Sequence, residues 1–356
     1  MIIFIYGTTA EAIKIAPVAR RLEKRGIPYE SWLTHQHTDS LRKVLPELGL
    51  AAPTRIIADG RRGKPLKSSR DVLFWMWDVA AWMLRNIRAT RKALPPRSIV
   101  VVHGDTITTV LGAFIARLLK VPSAHIEAGL RSGNWRHPFP EELDRRIVGK
   151  LARIHYTPSE DATKNLSKSA NVVFTHGNTA IDAVLDQGPS AASDEAPFGV
   201  VLLHRFEFIS NPQLVTSTFA TLVADSPVPL RLITDAYSEH GLLATLGTYD
   251  ATRLVAQPKL SHDEFITLLK NAAFIVTDSG GIQAEAALLG VPTLVHRKTT
   301  EQSEGFGANI VLSEWDNERL SAFLRDHSSY RRPLGRPPVS PSDVIVDDLV
   351  ARGYGA

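Results

Sequence analysis

The sequence predicts an α/β protein with two doubly wound, Rossmann-like domains that face a central cleft. Short apolar runs, many of them β-branched, alternate with helical segments, which is typical of buried parallel strands and their crossover helices. Many runs end in Gly, Asp, Thr or His, the residue types of turns at the ligand edge of an open sheet. The runs are too many for one domain, and residues 188–197 have the composition of a linker or an exposed loop.

The composition is that of a soluble globular protein and excludes several kinds of chemistry. The 356 residues are 44% hydrophobic and 22% charged, with a net charge of +4. This mild basicity gives no case for nucleic-acid binding, although it suits an anionic small ligand. The chain has no cysteine, which excludes disulfides, thiolate catalysis and thiolate metal sites. The first apolar run is too short for a signal peptide or a membrane span, so we expect a cytoplasmic protein without a membrane partner.

The first elements form a strand–turn–helix unit, followed by a second strand and helix. Ile2–Tyr6 is a strand, and the turn after it opens a helix that Gly26 ends. The turn has neither G-x-G-x-x-G nor G-K-[ST], which argues against the usual dinucleotide fold and against a P-loop. Lys14, one turn into the helix, is either close enough to reach a phosphate or simply solvated. A strand at 31–34 and a helix at 40–48 follow.

Two further segments have two interpretations each. Residues 55–70 are strongly basic, which is typical of a solvated loop, the alternative being a lid over an anionic substrate. The helix at 74–83 is apolar on nearly every face, which implies burial on more than one side. We expect it either in the core or at a subunit interface, where aromatic residues and Met are enriched.

Three carboxylates converge on the ligand edge of the first predicted sheet. Strands at 99–102 and 123–126 end just before Asp105 and Glu127, so both side chains lie at the same edge. Glu141 opens a following helix, where a carboxylate suits the positive helix end. Taken singly, Asp105 and Glu141 are better explained as helix caps. As a set, the three carboxylates indicate acid–base chemistry.

The second half of the chain repeats the alternation of strands and helices. Strands are expected at 199–203, 230–234, 253–255, 273–277 and 293–296. After the fourth of them, Ser279, Gly280 and Gly281 lead into a helix at 282–289, and their backbone N–H groups suit a phosphate. Glu285, one turn into that helix, suits ribose hydroxyls. His204 follows the first strand, at the same edge.

Short motifs along nearly the whole chain resemble those of the UDP-N-acetylglucosamine 2-epimerases, in the order that this family has them. The motifs are Gly7-Thr8, Glu11-Ala12-Ile13-Lys14, His103-Gly104-Asp105-Thr106, Glu127-Ala128-Gly129-Leu130-Arg131, Pro140-Glu141-Glu142, Gly177-Asn178-Thr179, His204-Arg205, Asp278-Ser279-Gly280-Gly281-Ile282-Gln283 and Thr299-Thr300-Glu301. As a set they are highly specific for this family.

The resemblance implies a fold of the glycosyltransferase-B type. Residues 1–171 would form the N-terminal Rossmann-like domain, completed by a C-terminal helix at 340–356, and residues 172–339 the nucleotide-binding domain. The resemblance further implies an isomerase that acts on a nucleotide sugar, most simply a UDP-sugar, without a cofactor or metal. It also implies a homodimer, for which the helix at 74–83 suits the interface.

The implied mechanism is an elimination followed by a re-addition. A base removes the proton at C2 of the sugar while UDP leaves C1, and UDP adds back after reprotonation on the opposite face. The matching catalytic residues are Asp105, Glu127, Glu141 and His204, the last of them near the diphosphate. The matching binding residues are Lys14 and Arg145 for the phosphate charge, Ser279, Gly280 and Gly281 for backbone contacts to phosphate, and Glu285 for the ribose.

Two arginines of the family pattern are replaced in this chain. Thr9 stands in a loop that usually reads G-T-R-P-E, and Gln302 ends a motif that usually reads T-T-E-R. Each charge-assisted contact contributes about 1.5–3 kcal/mol, so these replacements leave the sugar and the nucleobase open. Gln36-His37 matches a Gln-His pair found in family members that a second substrate molecule regulates. The residues around this pair do not match the pattern of those members. A hydrolysing 2-epimerase, a glycosyltransferase on the same scaffold and a nucleotide-binding module without catalysis stay open as alternatives.

Overall fold

The computed structural model contains two compact units, each with one parallel sheet. It describes residues 1–66, 68–133, 139–186, 196–234, 242, 250, 252–258, 260–300, 302, 304–335 and 337–355. The first unit comprises Met1–Asp186 and Pro337–Ala356, and the second comprises Gln187–Arg336. Most of the expected linker therefore lies outside the described residues, as does Glu301.

The first unit is a seven-stranded sheet in the order β3-β2-β1-β4-β5-β6-β7. Its strands are β1 (Ile2–Tyr6), β2 (Tyr29–Leu33), β3 (Arg55–Ile56), β4 (Ile99–His103), β5 (Ser123–Ile126), β6 (Ile154–Thr157) and β7 (Val172–Phe174). Its helices are α1 (Thr9–Lys24), α2 (Asp39–Glu47), α3 (Ser69–Ala93), α4 (Ile107–Leu119), α5 (Glu141–Leu151), α6 (Glu160–Asn165), α7 (Ala180–Leu185) and α13 (Pro341–Ala351). The strand order reverses between β1 and β4, and open sheets bind their ligands at such a switch point.

The boundary between the units differs from the expected one after residue 171. β7 pairs in parallel with β6, through Tyr156 and Val173 among others, so it belongs to the first sheet. Residues 172–186 consequently stay with the first unit.

The central strand β1 is fully buried, and its side chains alternate between two cores. On one face Phe4 packs in a cluster with Ile15 of α1 and Ile345 of α13. On the other face Ile5 packs in a cluster with Trp75 of α3 and Ile115 of α4. Helices thus cover both faces of the sheet, which explains why the strands read as continuous apolar runs.

Charged contacts as well as apolar ones hold the C-terminal helix α13 in the first unit. Arg21 of α1 forms ion pairs with Asp182 of α7, at 3.4 Å, and with Asp343 of α13, at 3.2 Å. The backbone N–H of Ser342 donates to Oδ2 of Asp182 at 2.7 Å. Asp182 is buried, so its carboxylate acts as a common acceptor for α1 and α13.

The apolar helix α3 is buried on one side only, so the expected burial on more than one side is wrong for the single chain. Trp75 and Val79 are fully buried against the sheet. Trp77 and Leu84, by contrast, are 73% and 87% exposed, and Leu73, Phe74 and Met76 are exposed beside them. The hydrophobic periodicity of the sequence could not predict which side of α3 is buried, because the outward side of the helix is as apolar as the inward side.

The second unit is a six-stranded parallel sheet in the order β10-β9-β8-β11-β12-β13. Its strands are β8 (Gly199–Leu202), β9 (Leu230–Thr234), β10 (Leu254–Pro258), β11 (Phe274–Thr277), β12 (Thr293–Val295) and β13 (Ile310–Leu312). Its described helices are α8 (Phe206–Ile209), α9 (Pro212–Asp225), α10 (His262–Asn271), α11 (Gly280–Leu289) and α12 (Asn317–Asp326), with a 3₁₀ turn at His327–Tyr330. The short edge strand β13 was not predicted.

Within the described part of the chain, no helix combines the length and the apolar character needed to cross a bilayer.

Candidate active site

A buried glutamate ties together the two turns at the switch point of the first sheet. Oε2 of Glu11 accepts hydrogen bonds from the backbone N–H groups of Gly7 and Thr8, each at 2.9 Å. Oε1 of the same side chain accepts from the hydroxyl of Thr106, the N-cap of α4, at 2.8 Å. The β1–α1 turn is therefore fixed to the β4–α4 turn, and Asp105 lies in the latter.

Glu127 follows β5 in a left-handed backbone conformation, with φ of +66°. Such a conformation costs a non-glycine residue about 1–2 kcal/mol and is concentrated at functional sites. It directs the buried carboxylate toward Lys14 of α1, whose Nζ lies 2.8 Å from Oε2. Burial alone would raise the pKa of Glu127, but the Lys14 charge and hydrogen bond outweigh it and bring this pKa down to about 2. Glu127 is therefore ionised throughout the working pH range.

His103, the last residue of β4, completes this contact as a neutral side chain. Its Nε2 lies 3.4 Å from Oε2 of Glu127, without the geometry of a hydrogen bond. Burial lowers the pKa of His103 to about 3, so the imidazole is uncharged at neutral pH. The cation that keeps Glu127 ionised is consequently Lys14 rather than His103.

Asp105 forms the second charged pair of this edge. Nη2 of Arg145, from α5, lies 2.6 Å from Oδ2 of Asp105. Burial raises the pKa of Asp105, Arg145 opposes this rise, and the neighbouring Glu127 adds to it. The two carboxylates at the ends of β4 and β5 thus have pKa values shifted in opposite directions, so their protonation states can differ at one pH.

Glu141, the third predicted carboxylate, opens α5 one turn before Asp144. Glu141 Oε2 is buried and has no hydrogen-bond partner among the described residues, and the same is true of Asp144 Oδ2. Burial first, and then the charges of Asp105 and Glu141, raise the pKa of Asp144 to about 7. The structure therefore brings Asp105, Glu127 and Glu141 into one electrostatic cluster and adds Asp144 to it.

In the second unit, a buried aspartate positions His204. Oδ2 of Asp278 accepts hydrogen bonds from the backbone N–H groups of His204, at 2.9 Å, and Arg205, at 2.8 Å. The imidazole Nδ1 of His204 lies 3.4 Å from Oδ1 of Asp278, and the side chain is 38% exposed. Burial raises the pKa of Asp278, and His204 opposes the rise. His204 is thus held at its backbone while its ring stays accessible.

The helix α11 begins two residues earlier than expected, at Gly280, so both glycines lie in its first turn. Its N-cap residue, Ser279, makes no side-chain capping hydrogen bond. Gln283, fully buried one turn later, donates to the carbonyl oxygen of Gln302 at 3.2 Å and accepts from the Thr300 hydroxyl at 3.0 Å. This side chain fixes the segment after β12 beside the start of α11.

Several residues of this arrangement were missed from the sequence. Glu11, His103, Asp144 and Asp278 had no assigned role. The spacing of Thr8 and Glu11 is that of a capping box, and both of its hydrogen bonds are present. Glu285 is half-buried at its predicted position in α11. Lys14 and Arg145, expected on phosphate, are paired with carboxylates.

No group of three or more His, Asp or Glu side chains among the described residues is arranged to hold a metal ion.

Comparison with known proteins decides the family. The family model for UDP-N-acetylglucosamine 2-epimerase matches residues 75–332. The UDP-N-acetylglucosamine 2-epimerase of Bacillus subtilis (strain 168) is 32% identical over 353 residues, which cover 92% of this chain and 88% of that protein. The chain belongs to the UDP-N-acetylglucosamine 2-epimerase family.

Solved structures of this epimerase family have the same fold. The enzyme of Neisseria meningitidis bound to UDP-GlcNAc matches with a TM-score of 0.81 at 27% identity, over 98% of this chain and 99% of that one. The enzyme of Methanocaldococcus jannaschii in complex with UDP-GlcNAc and UDP matches with a TM-score of 0.78 at 26% identity, over 99% of both chains. The predicted 2-epimerase family, the glycosyltransferase-B type of α/β fold and the isomerase class acting on nucleotide sugars are thereby confirmed.

Proposed function

We propose that this epimerase interconverts UDP-N-acetylglucosamine and its C2 epimer without net hydrolysis. One observation carries the proposal: three carboxylates lie in one electrostatic cluster, namely Asp105, whose pKa burial raises, Glu127, which stays ionised, and Glu141 at the start of α5. Epimerisation at C2 requires a group that takes a proton from one face of the sugar and a group that delivers one to the other.

Each carboxylate has a role in this scheme. Asp105 or Glu141 removes the C2 proton, the C1–O bond breaks, and its electron pair leaves with UDP. The other of the two protonates C2 of the resulting glycal on the opposite face, and UDP then adds back to C1. Glu127 stays ionised because of Lys14, so it provides a fixed negative charge where positive charge develops on the ring.

The remaining predicted residues bind the leaving group. We propose that Lys14 and Arg145 of the first unit neutralise the negative charge of the phosphates. In the second unit, the backbone N–H groups from Ser279 to Gly281 at the start of α11 suit a phosphate, and Glu285 suits the ribose. His204, accessible and held by Asp278, assists the departure of UDP.

A product analysis tests this function and separates it from hydrolysis. The protein is incubated with UDP-N-acetylglucosamine and, in parallel, with other UDP- and dTDP-sugars, and the products are followed by proton and phosphorus NMR. We expect the C2 epimer of the UDP-sugar to accumulate to equilibrium with no net release of UDP. Stoichiometric free UDP together with a free sugar would instead establish the hydrolysing alternative.

We further infer that the enzyme is a homodimer with α3 at its interface. The exposed apolar residues of α3, among them Trp77 and Leu84, form a stripe that a second copy can cover. Light scattering should give twice the 39.1 kDa of the chain. Replacing Leu84 with Glu should shift the mass toward the monomer, and a wild-type monomer at micromolar concentration would rule the interface out.

A further inference from the structure

The imidazole of His125 contacts the turn that carries Asp105, and the proposed chemistry assigns it no role. His125 lies in β5, two residues before Glu127, and is only 1% exposed. Its Nε2 lies 2.7 Å from the carbonyl oxygen of Gly104, the residue directly before Asp105. A carbonyl oxygen can only accept a hydrogen bond, so Nε2 carries a proton and donates.

The ring of His125 is neutral and has one tautomer in this contact. Burial lowers the pKa of His125 to about 4, so the ring is uncharged at neutral pH. A neutral imidazole has a single N–H group, which the contact with Gly104 requires at Nε2. Nδ1 is consequently without a proton, and this buried atom has no hydrogen-bond partner among the described residues.

Gly104 is held against the end of β5 by its backbone as well. Its N–H donates to the carbonyl oxygen of Ile126 at 3.0 Å, while its own carbonyl oxygen accepts from His125. Gly104 has φ of +73°, a left-handed conformation that favours glycine. A Cβ built on Gly104 would lie 3.9 Å from Oε2 of Glu127. The residue before Asp105 therefore lies close to the second carboxylate of the site.

The residue after Asp105 has a separate anchor. The hydroxyl of Thr106 donates to Oε1 of Glu11 at 2.8 Å. Asp105 thus lies between two fixed residues, with Gly104 bound to β5 and Thr106 bound to α1. The hydrogen bond from His125 is the side-chain contact that connects this turn to the strand from which Glu127 follows.

We propose that His125 is a positioning residue, whose hydrogen bond to Gly104 fixes the Asp105 carboxylate relative to Glu127. This inference rests on the proposed function, in which Asp105 is one of the groups that exchange the C2 proton. His125 itself transfers no proton. Because proton transfer depends steeply on geometry, loss of the contact should lower kcat more than it weakens substrate binding.

The kinetic test compares the wild type with His125→Leu and His125→Gln. Leu removes the donor, whereas Gln can place an amide N–H near the position of Nε2. We expect kcat to fall by roughly ten- to a hundredfold in His125→Leu with little change in KM. His125→Gln should recover most of this loss. A wild-type kcat in His125→Leu, or an equally large loss in His125→Gln, overturns the proposal.

His155 provides the matched control. It lies in β6, pairs in register with His125 and is 2% exposed. Its Nδ1 is also buried without a hydrogen-bond partner among the described residues. His155→Leu removes a buried imidazole from the same face of the sheet but leaves the contact with Gly104 in place, so kcat should stay close to that of the wild type. An equal loss of kcat in His155→Leu and His125→Leu contradicts the proposal.

Hydrogen exchange followed by mass spectrometry tests the contact without activity. The peptide that contains residues 104–106 should exchange faster in His125→Leu than in the wild type, and at the wild-type rate in His155→Leu. If His125→Leu does not fold, His125→Asn takes its place in both tests, because the shorter Asn side chain does not place an amide N–H near the position of Nε2.

The two measurements separate the two proposals. If the wild type turns over no nucleotide sugar, the proposed function fails, and the exchange comparison still decides whether His125 holds the turn. Unchanged exchange at residues 104–106 in His125→Leu contradicts the inference even where the epimerase activity is present.

Discussion

The two sheets carry different kinds of polar groups at the carboxyl ends of their strands. In the first unit the edge consists of charged side chains in pairs, Lys14 with Glu127 and Arg145 with Asp105. In the second unit a single buried carboxylate, Asp278, accepts two backbone N–H groups, and a glycine-rich helix start follows it. The first arrangement shifts the pKa values of its carboxylates, whereas the second fixes the backbone at a helix start, a kind of place that suits an anion. We infer that chemistry and nucleotide binding are divided between the units.

Replacing Asp105 with Asn should have the largest effect. The change keeps the shape of the side chain but removes the proton-transfer group, so kcat should fall by roughly 10²–10⁴. Steady-state kinetics measures the fall, and circular dichroism checks that the fold is kept. Asp161→Asn, on the exposed side of α6, serves as the control. If Asp105→Asn kept more than a tenth of the wild-type kcat, the first edge would not be the acid–base site.

Replacing Lys14 with Met tests, through the stability of the protein, how much the residues of a charged pair in the first unit depend on each other. The change leaves the buried Glu127 carboxylate without its cation, which should cost about 2–4 kcal/mol at pH 7. In the wild type the pKa of Glu127 lies near 2, below its unfolded value, so the pairing stabilises the protein above about pH 4 and is lost as the pH falls toward 2.

Urea unfolding at pH 7 and pH 4.5 measures the effect of Lys14→Met. The difference from wild type should be smaller at pH 4.5, where protonation relieves the unpaired Glu127. Lys14→Arg keeps the charge and should recover most of the stability. A difference that does not depend on pH would mean that Lys14 contributes by packing alone.

Replacing Gly281 with Ala should have the smallest effect on stability and a selective effect on binding. Apart from its chain neighbours and the backbone of its own helix, the nearest described atom to a Cβ at this position is the Ser279 hydroxyl oxygen, at 3.8 Å. Stability should therefore change by less than about 1 kcal/mol. The added methyl would project where we place the phosphate. Calorimetric titration should show weaker UDP binding with an unchanged thermal midpoint. Unaltered UDP affinity would move the phosphate away from the start of α11.

Much of the fold follows from local sequence. The strands β4 and β5 match the predicted runs closely, because apolar β-branched residues bounded by turn residues have few other solutions in a doubly wound sheet. The edge strand β13 was not predicted, although β7 and β12, which also have three residues each, were. The single-sided burial of α3 also could not be predicted, since a helix that is apolar all round does not reveal which side faces the sheet.

The sequence predicted which residues form the candidate site but not which of them contact one another. Strand ends identified Asp105 and Glu127, yet the partner of Glu127 is Lys14, 113 residues away in sequence. Local patterns do not specify such a pairing, and it changes the interpretation of Lys14 from a phosphate ligand alone to the group that keeps Glu127 ionised. Asp144 was missed because its environment depends on Asp105 from another element.

Deuterium incorporation at C2 tests the central claim most directly. The protein is incubated with UDP-N-acetylglucosamine in deuterated water, and both epimers are recovered and examined by NMR and mass spectrometry. If the carboxylates of the first edge exchange the C2 proton, each turnover places one deuterium at C2 and none elsewhere on the sugar. Asp105→Asn should slow this incorporation in proportion to its loss of kcat. Epimer formation with the original hydrogen retained at C2 would contradict the account.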